Sequence, residues 1–202
     1  VTRVSLNQNV ISFGTANGMI KDFDTKSKCI IRRAGNIHNG SRVTAMSSRG
    51  KYLVSAAEDG YVIVYDYANQ QEYKELNCSM IGLKCPTSLL FLTGEKYLVI
   101  GEASGMTIVD VDTSQVVSTI PSKETTKLIG LSQANEIDGH RVIMSCCKSG
   151  TLRLWKESNL ETRFLDLIKP LKCNEEVSDA VALPNGAIVT CGGSQKHMQI
   201  WE

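Results

Sequence analysis

One phrase recurs five times along the chain, and it leaves little room for anything but a tandem array of short strands. In residues 51–66 it reads Lys-Tyr-Leu-Val-Ser-Ala-Ala-Glu-Asp-Gly-Tyr-Val-Ile-Val-Tyr-Asp. Two β-rich runs flank an Asp-Gly pair, and such a pair tolerates the positive φ that a tight hairpin turn requires. The other copies occupy residues 9–24, 96–110, 141–156 and 187–202, the last with a turn about two residues longer. The turn glycines Gly18, Gly60, Gly105 and Gly150 follow one another at 42, 45 and 45 residues. The residues closing the second run (Phe23, Tyr65, Val109, Trp155 and Trp201) follow at 42, 44, 46 and 46.

Each copy is preceded by a further candidate strand, at Val1–Leu6, Val43–Met46, Leu89–Leu92, Leu128–Leu131 and Ala180–Leu183. Four copies are followed by another, at Cys29–Arg32, Glu72–Leu76, Val116–Ile120 and Arg163–Ile168. Four short strands in each unit of roughly 40–45 residues is the arithmetic of a β-propeller blade. The repeats fall at about 1–35, 36–80, 81–122, 123–172 and 173–202. No apolar stripe with helical spacing runs for ten residues or more, which excludes helical repeats. The middle runs are apolar almost throughout, as expected of strands covered on both faces. The chain opens on a first strand and stops on a third. An open edge invites aggregation, so further strands are expected from chain beyond these residues or from a partner.

Composition narrows the function classes. Lys plus Arg total 22 and Asp plus Glu 21, a net charge of +1. That gives no general pull towards nucleic acid, which is not expected to bind directly. No run approaches the length of a membrane-spanning helix, so no membrane insertion is expected. The first residue is Val, so the lack of a signal peptide says little. The seven cysteines form no C-x-x-C pair, and several lie inside apolar runs. They read as reduced, buried thiols of an intracellular protein, cytoplasmic or nuclear, and no metal or cofactor is expected.

At these residues the chain resembles the WD-repeat family, and the second unit carries the likeness best. Tyr65-Asp66 stands where the family has Trp-Asp, Asp59 at the turn Asp, Ser55 at the strand Ser and His38 at the loop His. The resemblance implies an all-β propeller of four-stranded antiparallel blades. About five are covered here, and most members close with seven, which would need about two more units. It also implies a hydrogen-bonded chain through His38, Ser55, Asp59 and Tyr65, structural rather than catalytic. The other units depart from it. Their strand Ser is replaced by Phe13 or Ile100 or kept as Ser145 or Thr190, and their turn Asp by Asn17, Ser104 or Ser149.

The set Ser55, His38 and Asp59 also has the composition of a hydrolase triad. A hydrolase, however, needs an open pocket and oxyanion donors, and no G-x-S-x-G elbow or phosphate loop is present. The expectation is therefore a non-enzymatic interaction scaffold within a multiprotein complex. The resemblance places a binding rim just before the first strands and just before the turns. It contains Arg3, Arg42, Glu58, Lys127 and Lys148, together with Ser88, Ser178 or Asp179, Ala16 and Ala103. Its cations suit an acidic or phosphorylated segment of a partner. The alternatives are a regulatory or targeting domain of a larger protein, whose catalytic or membrane-coat part lies elsewhere, and an RNA-associated assembly factor.

Overall fold

A computed structural model describes residues 1–66, 73–122, 127–137, 139–160, 163–173, 175–183, 185–192 and 197–201. Glu72, the turn 193–196 of the fifth copy and the closing Glu202 lie outside the described residues. Strands β1 (Arg3–Asn7), β2 (Val10–Gly14), β3 (Met19–Asp24) and β4 (Cys29–Asn36) form the first sheet, in chain order. The second holds β5 (Val43–Arg49), β6 (Tyr52–Ala57), β7 (Tyr61–Asp66) and β8 (Tyr73–Asn77). The third holds β9 (Ser88–Phe91), β10 (Tyr97–Glu102), β11 (Gly105–Asp110) and β12 (Gln115–Pro121). The fourth holds β13 (Leu128–Ile137), β14 (His140–Cys147), β15 (Thr151–Leu160) and β16 (Arg163–Lys172). The fifth has three strands among the described residues, β17 (Val177–Ala182), β18 (Ile188–Gly192) and β19 (His197–Trp201). The only helix among them is a 3-10 turn at Cys78–Ile81. The fold is all-β, and its sheets are built as propeller blades.

Two details differ from the sequence expectation. The strands of the fourth sheet reach ten residues, well past the expected Leu128–Leu131 and Arg163–Ile168. Gly105 is not a left-handed turn residue like Gly18, Gly60 and Gly150. It opens β11 at φ +143°, and the turn before it is only Ala103-Ser104. The cause is a close backbone approach: a Cβ on Gly105 would lie 2.3 Å from the Ile120 carbonyl oxygen. Only glycine fits such a contact.

Packing divides the chain into two compact units, Val1–Ile100 with Val109–Val116, and Gly101–Ile108 with Val117–Glu202. In the first unit, Ile20 of the first sheet packs on Leu53 and Tyr65 of the second. The other face of the second sheet (Val54, Ala56, Val62, Val64) meets Phe91, Leu98 and Ile100 of the third. In the second unit, Met144, Cys146 and Leu152 of the fourth sheet pack on Val177, Ala180 and Ile188 of the fifth. Each fully buried side chain of this size contributes about 1.5–3 kcal/mol.

Burial follows from which faces are covered. Strands β6, β7, β10, β11 and β14 are buried at nearly every position. Strands β2, β3 and β18 instead alternate. The uncovered faces of the first and fifth sheets leave Val4, Leu6, Val181 and Ile200 exposed.

Candidate functional site

The second sheet assembles a polar chain around His38, whose side chain is fully buried. The residue sits in the segment before β5, where its carbonyl accepts from the Ser41 amide at 2.7 Å. Its Nδ1 lies 2.8 Å from Asp59 Oδ2, and its Nε2 lies 2.9 Å from Ser55 Oγ. Nδ1–H donating to the carboxylate, with Nε2 accepting from the hydroxyl, satisfies both contacts. The second oxygen of Asp59 accepts the Tyr61 amide at 3.0 Å, which fixes the turn at Gly60 (φ +81°). One carboxylate therefore ties loop, turn and strand together. Tyr65 stands opposite Leu53, two residues along the same face from Ser55, and is buried against Ile20. The Ser55 hydroxyl is 1% exposed and engaged by His38, so no open pocket surrounds it.

The remaining sheets keep parts of this arrangement. The Trp155 indole N–H donates to Ser145 Oγ at 2.8 Å, and that of Trp201 to Thr190 Oγ1 at 3.0 Å. Both acceptors stand where the second sheet has Ser55. In the first sheet the turn is held by Thr15, whose Oγ1 donates to Asn17 Oδ1 at 2.6 Å and accepts from the Met19 amide at 3.0 Å. In the third, Ser104 Oγ donates to Glu102 Oε1.

A second recurring arrangement was not singled out in the sequence. Lys51 pairs with Asp66, and Lys96 with Asp110, each at 3.5 Å. The two ammonium groups also lie 4.8 and 5.2 Å from the ring centres of Tyr52 and Tyr97. Burial alone would raise the Asp110 carboxyl, but the amides of Thr113 and Asp112, with Lys96, outweigh it and hold it below its ordinary value. In the fourth sheet the corresponding end carries a buried ion pair instead. Arg141 Nη1 donates to Glu157 Oε1 at 2.8 Å, and Nη2 to Gln133 Oε1 at 3.1 Å. The repeated Lys-Tyr-Leu-Val of units two and three was the available signal for the first of these. The second depends on strand pairing that residue spacing does not show.

The rim residues fall in both units. Arg3, Arg42, Glu58, Lys127 and Lys148 are all exposed, whereas Ser88 is buried. The Glu58 amide donates to the Arg42 carbonyl at 3.0 Å, and the Lys148 amide to the Lys127 carbonyl at 2.9 Å. In each case the residue before the first strand lies beside the residue before the turn. Arg3 is placed differently. It stands opposite Gly14, as Ala45 stands opposite Ala56, and is thus already within the sheet. Lys148 also lies 3.6 Å from Glu176, with both side chains well exposed.

All seven cysteines are free thiols; Cys78, Cys146, Cys147 and Cys173 are buried, and Cys29 and Cys85 are exposed. Burial pushes the Cys146 thiol up to about 12. Among the described residues no group of three His, Cys, Asp or Glu side chains is arranged to hold a metal ion. No helix among them is long and apolar enough to cross a membrane.

Comparison with known proteins agrees with this geometry. No curated protein sequence matches the chain. In the "Crystal Structure of Mitotic Checkpoint Complex", one chain resembles this one with a TM-score of 0.76 and 18% identity, over 99% of this chain and 60% of that chain. The chain therefore spans 60% of that neighbour's length, and at this identity the likeness is one of fold. The sequence profile of the WD domain, G-beta repeat, matches residues 29–66, the stretch from β4 through β7 that contains His38, Ser55, Asp59 and Tyr65.

Proposed function

We propose that the chain is a non-enzymatic, intracellular scaffold for protein–protein interaction, and that it docks an acidic or phosphorylated segment of a partner. The WD-repeat match, the propeller blades and the neighbour's membership of a complex support the scaffold reading. The observation that carries the acidic partner is the pair Lys127 and Lys148. These are two exposed lysines whose main chains a hydrogen bond sets side by side; Lys148 also meets the exposed Glu176 at 3.6 Å, a surface pair that a competing carboxylate can replace. In the first unit the equivalent pair is Arg42 with Glu58, whose charges oppose, and Arg3 is displaced into its sheet. The docking charge is thus assigned to the second unit. The polar chain of His38, Ser55, Asp59 and Tyr65 serves to stiffen the second blade.

Exposed charge pairs contribute little singly, but together they steer encounter and raise the on-rate at low salt. The Lys127→Glu, Lys148→Glu double variant should therefore lose partners in a pull-down from the native source, with the loss largest at low salt. Arg3→Glu should retain them. Wild-type capture of every partner by the double variant across a salt series would overturn the assignment.

A further inference from the structure

The fourth sheet uses only one of its faces for packing on the fifth. Its other face carries Ser145, Arg153, Trp155 and Leu167, which the strand register sets side by side: Ser145 opposite Arg153, and Trp155 opposite both Ile143 and Leu167. This face does not close on the β11–β12 pair. A cavity of about 270 Å³ lies between them, with every lining residue in the second unit. Its walls include Met106, Ile120, Leu128, Trp155 and Leu167, and among the described residues the charged side chain that lines it is Arg153. The Trp155 indole N–H is occupied by Ser145, so the ring offers the cavity an apolar surface with its polar group already satisfied.

We infer that this cavity takes a bulky apolar side chain, aromatic by preference, from an acidic peptide segment of a partner protein. The inference rests on the scaffold reading above and names the anchor within the docked segment. Three observations select this occupant. The volume lies just below the range of about 300–1,000 Å³ usual for small-molecule pockets, and it suits one anchoring side chain of the kind that dominates protein interfaces. Arg153, whose Nη1 also contacts the Cys147 sulfur at 3.7 Å, places a guanidinium, a group suited to a carboxylate, at the edge of a largely apolar wall. Lys127, which is exposed, directly precedes the lining residue Leu128 and adds a further cation near the cavity for an acidic residue flanking the anchor. Apolar body and flanking negative charge are thus matched within one small area.

The chain has two tryptophans, and only Trp155 lines the cavity. Their indole N–H signals in a nitrogen-15 correlation spectrum therefore give a probe and an internal reference. The probe ligand is the blocked peptide acetyl-Glu-Glu-Phe-Glu-Glu-amide, compared with its Ala-centred analogue and with a Lys-flanked Phe analogue. The Phe peptide should shift the Trp155 signal saturably and leave that of Trp201 in place. The other two peptides should leave both unmoved at the same concentration. Arg153→Gln should weaken binding by about fivefold or more, with Arg153→Lys between the two, because the guanidinium–carboxylate contact is lost in steps. Leu167→Asp alters a half-exposed wall residue, which keeps the fold safe, and should weaken binding about tenfold or more by removing anchor contact. An unmoved Trp155 signal, or equal shifts by the Ala-centred or Lys-flanked peptide, overturns the inference. If the Phe and Ala peptides bind alike, lose affinity alike in the Lys127→Glu, Lys148→Glu variant and never move Trp155, the acidic docking surface stands and the cavity anchor falls.

Discussion

Asp59 holds three segments of chain with two oxygens, one on His38 and one on the Tyr61 amide. Truncating it strands a fully buried imidazole and a turn amide, and an unsatisfied buried group costs about 1–3 kcal/mol. Asp59→Ala should therefore lower stability by that amount. Ser104→Ala, at the equivalent turn of the third sheet, should cost much less, because Ser104 is exposed and its hydroxyl bonds to the nearby Glu102 carboxylate rather than to a buried group of another segment. Comparable urea midpoints for the two variants would contradict the role given to the chain. His38, Ser55 and Asp59 could be singled out in the sequence because the second unit resembles the WD repeat, which implies a place for each of them. The fit of Gly105 against Ile120 could not be, since it depends on how closely β11 approaches β12 rather than on the identity of either residue.

Among the elements, the fourth sheet stands apart. Its long strands β15 and β16 are joined through register shifts at Leu154/Trp155 and Glu157/Leu160. A bulge adds a residue and re-aims the side chains that follow. Where the second and third sheets place a half-exposed lysine against an aspartate, this one buries Arg141 against Glu157, with side chains 8% and 10% exposed. Removing one partner of a buried pair leaves an uncompensated charge, typically at a cost of about 3–5 kcal/mol. Glu157→Ala should fall near the lower end of that range in thermal or urea unfolding. Lys51→Ala, which breaks a half-exposed pair, should move the midpoint far less. Equal effects would mean that the Arg141 charge finds water in the variant. The existence and order of these strands were legible from the repeated apolar runs and turn glycines. Their lengths were not, because the mostly polar residues 132–137 and 156–160 carry little apolar signal and are held by strand pairing and by the bonds of Arg141 to Gln133 and Glu157.

For the molecule as a whole, burial of the thiols offers a reporter of opening. Cys29 and Cys85 are exposed, whereas Cys146 is buried with its thiol raised to about 12. Only the thiolate reacts readily, so at mildly alkaline pH iodoacetamide should modify Cys29 and Cys85 first. Cys146 should follow only as fast as the fourth sheet opens, as read by mass spectrometry of peptides over time. Modification of Cys146 as fast as Cys29 would show that this sheet is loosely held. Within each sheet every strand pairs with its neighbours in chain order, and the starts of successive sheets lie 40 to 49 residues apart. A ribosome adds about 5–20 residues per second, while a hairpin closes in about 1–10 μs. Each sheet thus has seconds to form before its successor has been made, with an apolar face meanwhile open to water. Order of synthesis becomes order of assembly, and the nascent chain passes through a series of half-covered intermediates that a ribosome-bound chaperone is suited to shield.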